Sequence, residues 1–228
     1  MIKSPSACNL KDCFLCQHVV AHWLPGIKAN KTNIQFRKGE IIFNEGDQVK
    51  GIYFVYSGIV KVHKHWDEKK ELIFRFAKAG DMFGYRGLGN EKIYPVSTTA
   101  IDQVTVCYID LAFFDVTLQA NQSLTYRLMQ FYANELQDAE KRMRNLVHME
   151  VMGRVAETLL LLRANFGLSA EGYINIMLSR QDIASHAGTT YETLFRIMRA
   201  FIKDKLIQVK GKKIFILRES ALKKLSSP

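Results

Sequence analysis

Four cysteines are the residues of this chain best suited to metal chemistry. Cys8, Cys13 and Cys16 form a C-x4-C-x2-C group near the N-terminus, and Cys107 lies much further along. A [4Fe–4S] cluster is held by four soft thiolates, several of them usually close in sequence. The same set suits a tetrahedral Zn²⁺ site. The third hypothesis is that Cys107 is a small buried apolar residue and the N-terminal thiols hold nothing.

A second candidate site lies in residues 178–207, which have the pattern of two short helices joined by a turn. Ser179 and Asp182 have the spacing of a capping box, so they predict the start of the first helix. Gly188 ends that helix, and Thr190 is a good N-cap for the next one. Two short helices joined through a turn that contains glycine match a helix-turn-helix.

The second of these helices carries polar and aromatic residues opposite its apolar face. Arg196 can donate two parallel N–H bonds to guanine, Glu192 can accept from a cytosine amino group, and Phe195 can touch a thymine methyl group. A hairpin that turns at Lys210-Gly211 is predicted behind the helices, which makes the motif winged. The residues that we expect to contact DNA are Tyr191, Glu192, Phe195, Arg196, Arg180, Lys212 and Lys213.

The charge of the chain agrees with a polyanionic partner. The 228 residues carry a formal net charge of +10. Residues 151–228 hold 13 Lys and Arg against 6 Asp and Glu, so most of the excess lies in the last third. A basic surface of this kind is typical of nucleic-acid binding. No signal peptide or membrane-spanning run is recognisable, so a cytoplasmic protein is expected, with its cysteines in a reducing compartment.

Two further patterns describe the elements that must position these residues. Residues 34–111 contain short β-rich runs separated by turn residues, which predicts an antiparallel sandwich or barrel. Residues 123–147 lack Gly and Pro and carry apolar residues at spacings of three and four. The positions of this seam are Leu128, Tyr132, Leu136, Ala139, Met143 and Leu146. The helix that they predict packs either on its own β domain or against a second copy of the chain.

Ordered motifs over nearly the whole chain resemble those of the cyclic-AMP receptor protein/FNR transcription factors. Segments 37–47, 53–61 and 79–85 resemble successive parts of the family's β-roll. Residues 192–196, Glu-Thr-Leu-Phe-Arg, resemble its E-x-x-[S/G]-R recognition motif, with Phe195 in place of the usual small residue. The resemblance implies an α+β fold: an N-terminal antiparallel β-roll, a long dimerisation helix and a C-terminal winged helix-turn-helix.

The same resemblance implies a domain order and a set of partners. The expected regions are 1–33 (cysteine-containing segment), 34–120 (β-roll sensor domain), 121–150 (dimerisation helix and hinge) and 151–228 (winged helix-turn-helix). The implied partners are an inverted-repeat operator on double-stranded DNA, RNA polymerase and a second copy of the chain. No Gly-rich phosphate loop, G-x-S-x-G or H-E-x-x-H motif is present, so we do not expect an enzyme. A pure interaction module, in turn, would show no salt-dependent affinity for DNA.

The signal is harder to assign than the fold. Cyclic-nucleotide sensors of the family pair an Arg with the cyclic phosphate, whereas residues 94–99 contain none. FNR proteins have three N-terminal cysteines and one in the β-roll, and the strand around Cys107 resembles the one that carries the distant ligand. The resemblance therefore implies a 4Fe-4S sensor of oxygen or nitric oxide that controls anaerobic or nitrosative-stress genes. The N-terminal cysteine spacing departs from the best-known FNR pattern, in which the longer gap comes second.

Two alternatives within the family remain. One is a haem-based gas sensor, because His and Met side chains ligate haem iron axially. Its candidate ligands are His18, His22, His148, Met149 and Met152. The other is a regulator that needs no effector, or that senses another small molecule, and has no metal centre.

Overall fold

The structure is a computed structural model that describes residues 2–3, 13–67 and 70–227. Contacts divide the chain into two compact units. The first is formed mainly by the residues up to 136, and the second by the residues after it together with residues 66–73. Within the described residues, no helix is long and apolar enough to cross a membrane.

The first unit is built on two antiparallel sheets. Its strands are β1 (Ile2–Lys3), β2 (Lys31–Phe36), β3 (Ile41–Phe43), β4 (Gly51–Ser57), β5 (Val60–His65), β6 (Glu71–Ala77), β7 (Met82–Phe83), β8 (Ser97–Ala100) and β9 (Val104–Asp110). One sheet has the order β1-β2-β9-β4-β7 and the other has the order β3-β8-β5-β6. Residues of both sheets, such as Val55, Val106 and Val62, share one buried core. The prediction of an antiparallel β domain is confirmed.

Tight turns between these strands explain the glycines that separate the β-rich runs. Gly58, before β5, has a φ of 85°. A Cβ atom at this position would lie 2.4 Å from the carbonyl oxygen of Gln103. Glycine is therefore required here both for the backbone conformation and for the close approach of the neighbouring chain.

Four helices complete the first part of the chain: α1 (Phe14–His18), α2 (Leu24–Asn30), α3 (Leu111–Ala120) and α4 (Gln122–His148). The segment that contains α1 and α2 is fixed to α3 and to Asn121, which lies between α3 and α4, by side-chain hydrogen bonds. The Trp23 indole N–H donates to Thr117 Oγ1 at 3.1 Å, and the backbone N–H of Val20 donates to Asn121 Oδ1 at 3.0 Å.

Helix α4 is a single helix of 27 residues, as its lack of Gly and Pro predicts. It leaves a row of large apolar side chains open to solvent, which we call the α4 stripe. The stripe consists of Tyr126, Met129, Tyr132, Leu136, Met143 and Val147. An exposed apolar row of this length on one helix is typical of a surface that another chain covers.

Besides the end of α4, the described part of the second unit contains four helices and one hairpin. The helices are α5 (Val151–Phe166), α6 (Arg180–Ala187), α7 (Tyr191–Lys203) and α8 (Glu219–Leu225), and the hairpin pairs β10 (Ile207–Lys210) with β11 (Lys213–Ile216). Its buried side chains include Leu159, Ile183, Leu194, Phe201 and Leu222. A helix-turn-helix followed by a β-hairpin is the winged arrangement that the sequence predicts.

Candidate nucleic-acid interface and sensor site

Local capping interactions set the geometry of α6 and α7. Ser179 Oγ accepts the backbone N–H of Asp182 at 3.0 Å, and the Asp182 carboxylate accepts the backbone N–H of Ser179 at 3.3 Å. Gly188 ends α6 with a φ of 64°, and Thr190 Oγ1 accepts the N–H of Thr193 to begin α7. These are the caps that the sequence predicts, and together they fix the turn between the two helices.

Helix α7 is sharply divided between a buried face and an exposed face. Leu194, Ile197, Met198 and Phe201 are buried in the second unit. Tyr191, Glu192, Phe195 and Arg196 are all exposed. Four of the residues predicted to contact DNA therefore share the open face of the first two turns, which is the part of a recognition helix that faces base edges.

Two aromatic rings and one guanidinium group form a column on this face. The rings of Tyr191 and Phe195 lie 6.3 Å apart with an angle of 15° between their planes. The guanidinium carbon of Arg199 lies 5.8 Å from the centre of the Phe195 ring. Arg199 is not among the residues predicted from the sequence, although its spacing of four from Phe195 places it on the same helical face.

The other three residues predicted to contact DNA have different surroundings. Arg180 is partly buried, and its Nη2 donates to the carbonyl oxygen of Gly211 at 2.8 Å, so it links α6 to the turn of the hairpin. Lys213 Nζ lies 2.8 Å from Glu171 Oε2, and this hydrogen bond raises the pKa of Lys213. Lys212 is exposed. Of the three, Lys212 has the surroundings that best suit a contact to phosphate.

Two arginines that the sequence does not single out hold the end of α6. Arg154 on α5 donates from Nε to the carbonyl of Ala187 at 3.1 Å and from Nη2 to that of Gly188 at 3.2 Å. Arg142 on α4 donates to the carbonyl of His186 at 2.8 Å. They satisfy carbonyl groups that a helix C-terminus leaves unpaired, next to the turn that leads into α7. Burial, with a smaller effect of Arg142, lowers the pKa of His186 to about 3.

Three of the four predicted metal-ligating cysteines belong to one part of the first unit. Cys13 and Cys107 are buried in the same apolar core, and Cys16 packs against it. Cys107 lies on β9, opposite Asn33 of β2 and Phe54 of β4. Cys8 lies outside the described residues. Among the described residues, a possible metal site is a group of three or more potential ligands whose ligating atoms all lie within 4.8 Å of one another. These cysteines belong to no such group.

The first turn of α1 brings Cys13 and Cys16 together. Cys13 is the N-cap of α1, and its Sγ accepts the backbone N–H of Cys16 at 3.3 Å. A side-chain hydrogen bond with Cys16 is the largest influence on the Cys13 thiol, and it lowers the pKa of Cys13 to about 7. A thiol in this state is readily deprotonated, and the thiolate is the form that binds metals.

Helix α1 also connects the β domain to α4. The backbone N–H of Phe14 donates to the carbonyl of Gly80 at 3.1 Å. The Phe14 ring lies 5.5 Å from the ring of Phe131 on α4. The short helix that carries two of the cysteines therefore contacts both a turn of the β domain and the long helix.

A second connection between the β domain and α4 centres on Glu135. Its carboxylate accepts from Arg75 Nη1 at 3.1 Å, from Arg86 Nη2 at 2.8 Å and from the Tyr85 hydroxyl. The Tyr132 hydroxyl donates to the carbonyl of Tyr85 at 2.6 Å. Charge-assisted bonds of this kind are among the stronger polar contacts in proteins, so they fix this part of α4 to the β domain.

Two other groups of sequence candidates are placed by the structure. Tyr94, in the stretch considered for phosphate binding, is buried, stacks on Phe43 at 3.7 Å and donates to the carbonyl of Gly51 at 2.7 Å. His148 and Met149, from the haem alternative, line a cavity of about 1080 Å³ in the second unit.

Comparison with known proteins identifies the kind of regulator to which these features belong. A cyclic nucleotide-binding domain matches residues 33–121, and a Crp-like helix-turn-helix domain matches residues 153–225. The structure is similar to that of FixK2 from Bradyrhizobium japonicum, with a TM-score of 0.78 and 25% identity, covering 87% of this chain and 98% of that one. CooA from Carboxydothermus hydrogenoformans shares the fold, with a TM-score of 0.74, 21% identity and coverage of 89% and 90%.

Relatives of known role are transcription regulators and not enzymes. The transcriptional activator protein anr of Pseudomonas aeruginosa is 30% identical over 184 residues, which are 79% of this chain and 75% of that protein. The fumarate and nitrate reduction regulatory protein of Escherichia coli (strain K12) is 28% identical over 231 residues, with coverage of 96% and 91%. The α+β fold, the winged helix-turn-helix and these matches together show that the chain belongs to the Crp/FNR family of DNA-binding transcription regulators.

Proposed function

We propose that this regulator acts as a homodimer and responds to oxygen or nitric oxide through a 4Fe-4S cluster held by Cys8, Cys13, Cys16 and Cys107. The main support is the position of Cys13, Cys16 and Cys107 around one apolar core. The names of relatives such as the fumarate and nitrate reduction regulatory protein agree with control of anaerobic genes. Nitrosative-stress genes are the corresponding targets if nitric oxide is the signal.

The donor set suits this group for chemical reasons. All four proposed ligands are soft thiols, and the lowered pKa of Cys13 favours the thiolate that an iron–sulfur cluster requires. When bound, the cluster supplies iron that reacts with oxygen or nitric oxide. The apolar residues packed around Cys13 and Cys107 keep water from the buried side of the proposed ligand set.

The signal is expected to reach α4 through contacts that this chain makes itself. With Cys13 and Cys16 held near Cys107, α1 keeps its hydrogen bond to Gly80 and its ring contact to Phe131. When these cysteines are released, the N-terminal segment loses its fixed end and the support that Phe14 gives to α4 weakens. A shift between inactive and active populations depends only on the difference in binding free energy between the two states. The free energy with which four thiolates bind a metal centre is large enough to provide this difference.

The DNA-binding role rests on the open face of α7. Arg196 and Glu192 read base edges, Tyr191 and Phe195 add apolar contacts, and Lys212 contacts phosphate, with Lys213 and Arg180 at the margin. In a dimer formed through the α4 stripe, two recognition helices lie about 34 Å apart and read an inverted repeat. RNA polymerase is the further partner that we propose, for either activation or repression at a promoter. DNase footprinting tests the dimer, because an isolated half-site bound by one protomer contradicts it.

The sensing role is tested by anaerobic purification with iron and sulfide assays and an absorption spectrum. We expect about four irons and four sulfides per protomer, lost in air together with tight operator binding. Cys107→Ser should prevent assembly. Cys107→Ala keeps the apolar character, so normal iron content in that variant shows that Cys107 is only a core residue. A Soret band assigns haem instead, and a metal-free protein that binds its operator tightly eliminates the metal centre.

A further inference from the structure

The recognition face of α7 carries more exposed aromatic surface than base contacts through hydrogen bonds require. Phe195 is 50% exposed and Tyr191 is 44% exposed, on a helix whose core side is fully packed. A phenyl ring has no donor or acceptor, so it gains nothing from water or from phosphate. Large apolar side chains grouped on a functional face usually become buried when a partner binds.

The column that contains Phe195 is formed before any DNA is bound. The Tyr191 ring, one turn before Phe195, stacks on the Phe195 ring. The Arg199 guanidinium, one turn after Phe195, lies over the same ring. Contacts at i−4 and i+4 restrict the rotamers of Phe195, so little conformational entropy remains to be lost on binding. A ring fixed in this way is suited to a small, defined apolar target rather than to general contact with the backbone.

The major groove offers one such target. Among the groups that base pairs expose in the major groove, the C5-methyl group of thymine is the apolar one. The other groups that distinguish one base pair from another there are hydrogen-bond donors and acceptors. Since Phe195 directly precedes Arg196, the base pair beside the guanine that Arg196 reads lies within its reach. Phe195 has no polar atom with which to distinguish the O4 of thymine from the amino group of cytosine.

We propose that Phe195, held in the column of Tyr191 and Arg199, makes this protein a reader of 5-methylpyrimidines, so that thymine and 5-methylcytosine are both favoured at one position of each half-site over the same bases without the methyl group. The inference rests on the proposed entry of α7 into the major groove, and it adds a ligand group and a sensitivity to cytosine methylation. Removal of one buried methyl group weakens binding about fourfold per half-site.

The test uses a duplex that the wild-type protein selects from a randomised inverted-repeat pool. Each thymine of one half-site is replaced in turn by uracil, which removes the methyl group and leaves every hydrogen-bonding group in place. We expect one position at which uracil weakens wild-type binding about fourfold. At that same position, a C·G pair and a 5-methylcytosine·G pair are then compared, and the methyl group should improve binding by a similar factor.

Matched variants show whether Phe195 is responsible. Phe195→Ala should bind the thymine and uracil duplexes equally well, and so should lose both methyl effects. Ile202→Ala removes an exposed apolar side chain from the last turn of the same helix, two turns beyond Phe195, and it should keep both effects. Because Phe195 is exposed, its replacement leaves the core of the second unit intact.

Two results would overturn the inference. One is that no thymine of the selected site is sensitive to loss of its methyl group. The other is that Phe195→Ala retains the full methyl effect, which assigns the effect to another residue. A wild-type protein that selects no sequence at all fails at the earlier step, and so rejects the proposed DNA-reading role together with this inference.

Discussion

The DNA-reading part of the second unit and the cysteine region of the first unit are assembled in different ways. The reading face of α7 comes from residues that lie within six positions of one another in the chain, placed by caps at Ser179 and Thr190 that each act over three residues. The cysteine region combines an N-terminal segment with β9, about ninety residues away, and with Phe131 of α4. Local patterns therefore determine the first site, whereas the second depends on how distant segments pack.

The largest expected effect concerns the α4 stripe, on which both sites depend in the proposed dimer. Leu136→Glu combined with Met143→Glu places two charges in the α4 stripe, so the dimer should dissociate. Loss of the second half-site contact lowers operator affinity by about 10²–10⁴-fold. Sedimentation and operator titration measure the two effects. Asn134→Glu with Gln137→Glu, exposed on another face of α4, is the matched control and should change neither.

The next effect separates base reading from the rest of the interface. Arg196→Ala should weaken specific binding by about 1–3 kcal/mol per half-site and relax the preference for a G·C pair. The reason is the loss of two parallel hydrogen bonds to guanine. Fluorescence anisotropy with operator variants provides the measurement. An unchanged base preference would mean that α7 is not the recognition helix.

A change in the first unit tests whether its connection to α4 is independent of DNA reading. Glu135→Gln removes the charge that Arg75 and Arg86 share, and these groups are only partly exposed. We expect the free energy of unfolding of this unit to fall by about 1–2 kcal/mol, because two cations lose their common partner. Urea denaturation checks this value. Contact of the second unit with non-specific DNA should remain as in the wild type.

Acid should distinguish the two units through His186. Its pKa is lowered to about 3 in the folded protein, against a usual value of 6.5, so the unfolded chain binds the extra proton first. The free energy of unfolding of the second unit should therefore fall as pH decreases from about 6.5 towards 3, by at most about 1.4 kcal/mol per pH unit. His186→Gln should reduce this slope. An identical slope in the variant would assign the acid sensitivity to other groups.

The smallest effect compares two adjacent lysines of the hairpin. Lys212→Ala should lower the slope of log affinity against log salt by about one per protomer, evenly across DNA sequences. Lys213→Ala should have a weaker effect, because Lys213 already pairs with Glu171. Titrations at several salt concentrations measure both slopes. Equal slopes for the two variants would show that the pair with Glu171 opens when DNA binds.

The extent to which the sequence predicted each region follows from the range of the interactions involved. The capping box at Ser179, the end of α6 at Gly188 and the buried positions of α7 were all visible as short spacings. The carbonyl contacts of Arg154 and the shared partner of Arg75 and Arg86 were not predicted. They join residues separated by tens of positions, and their side chains carry no periodic signal. The hydrogen bond from Arg180 to the hairpin turn was not predicted either, because its two partners come together only in the folded chain.

The exposed α4 stripe has a consequence for how a cell containing this protein would set its response. If operator binding requires two protomers that pair through Leu136, Met143 and their neighbours, the dimer is a minor species at low protein concentration. Operator occupancy then rises with the square of the amount of protein rather than in proportion to it. A modest change in synthesis or degradation would produce a steep change in transcription, and the amount of protein would act as an input alongside its chemical signal.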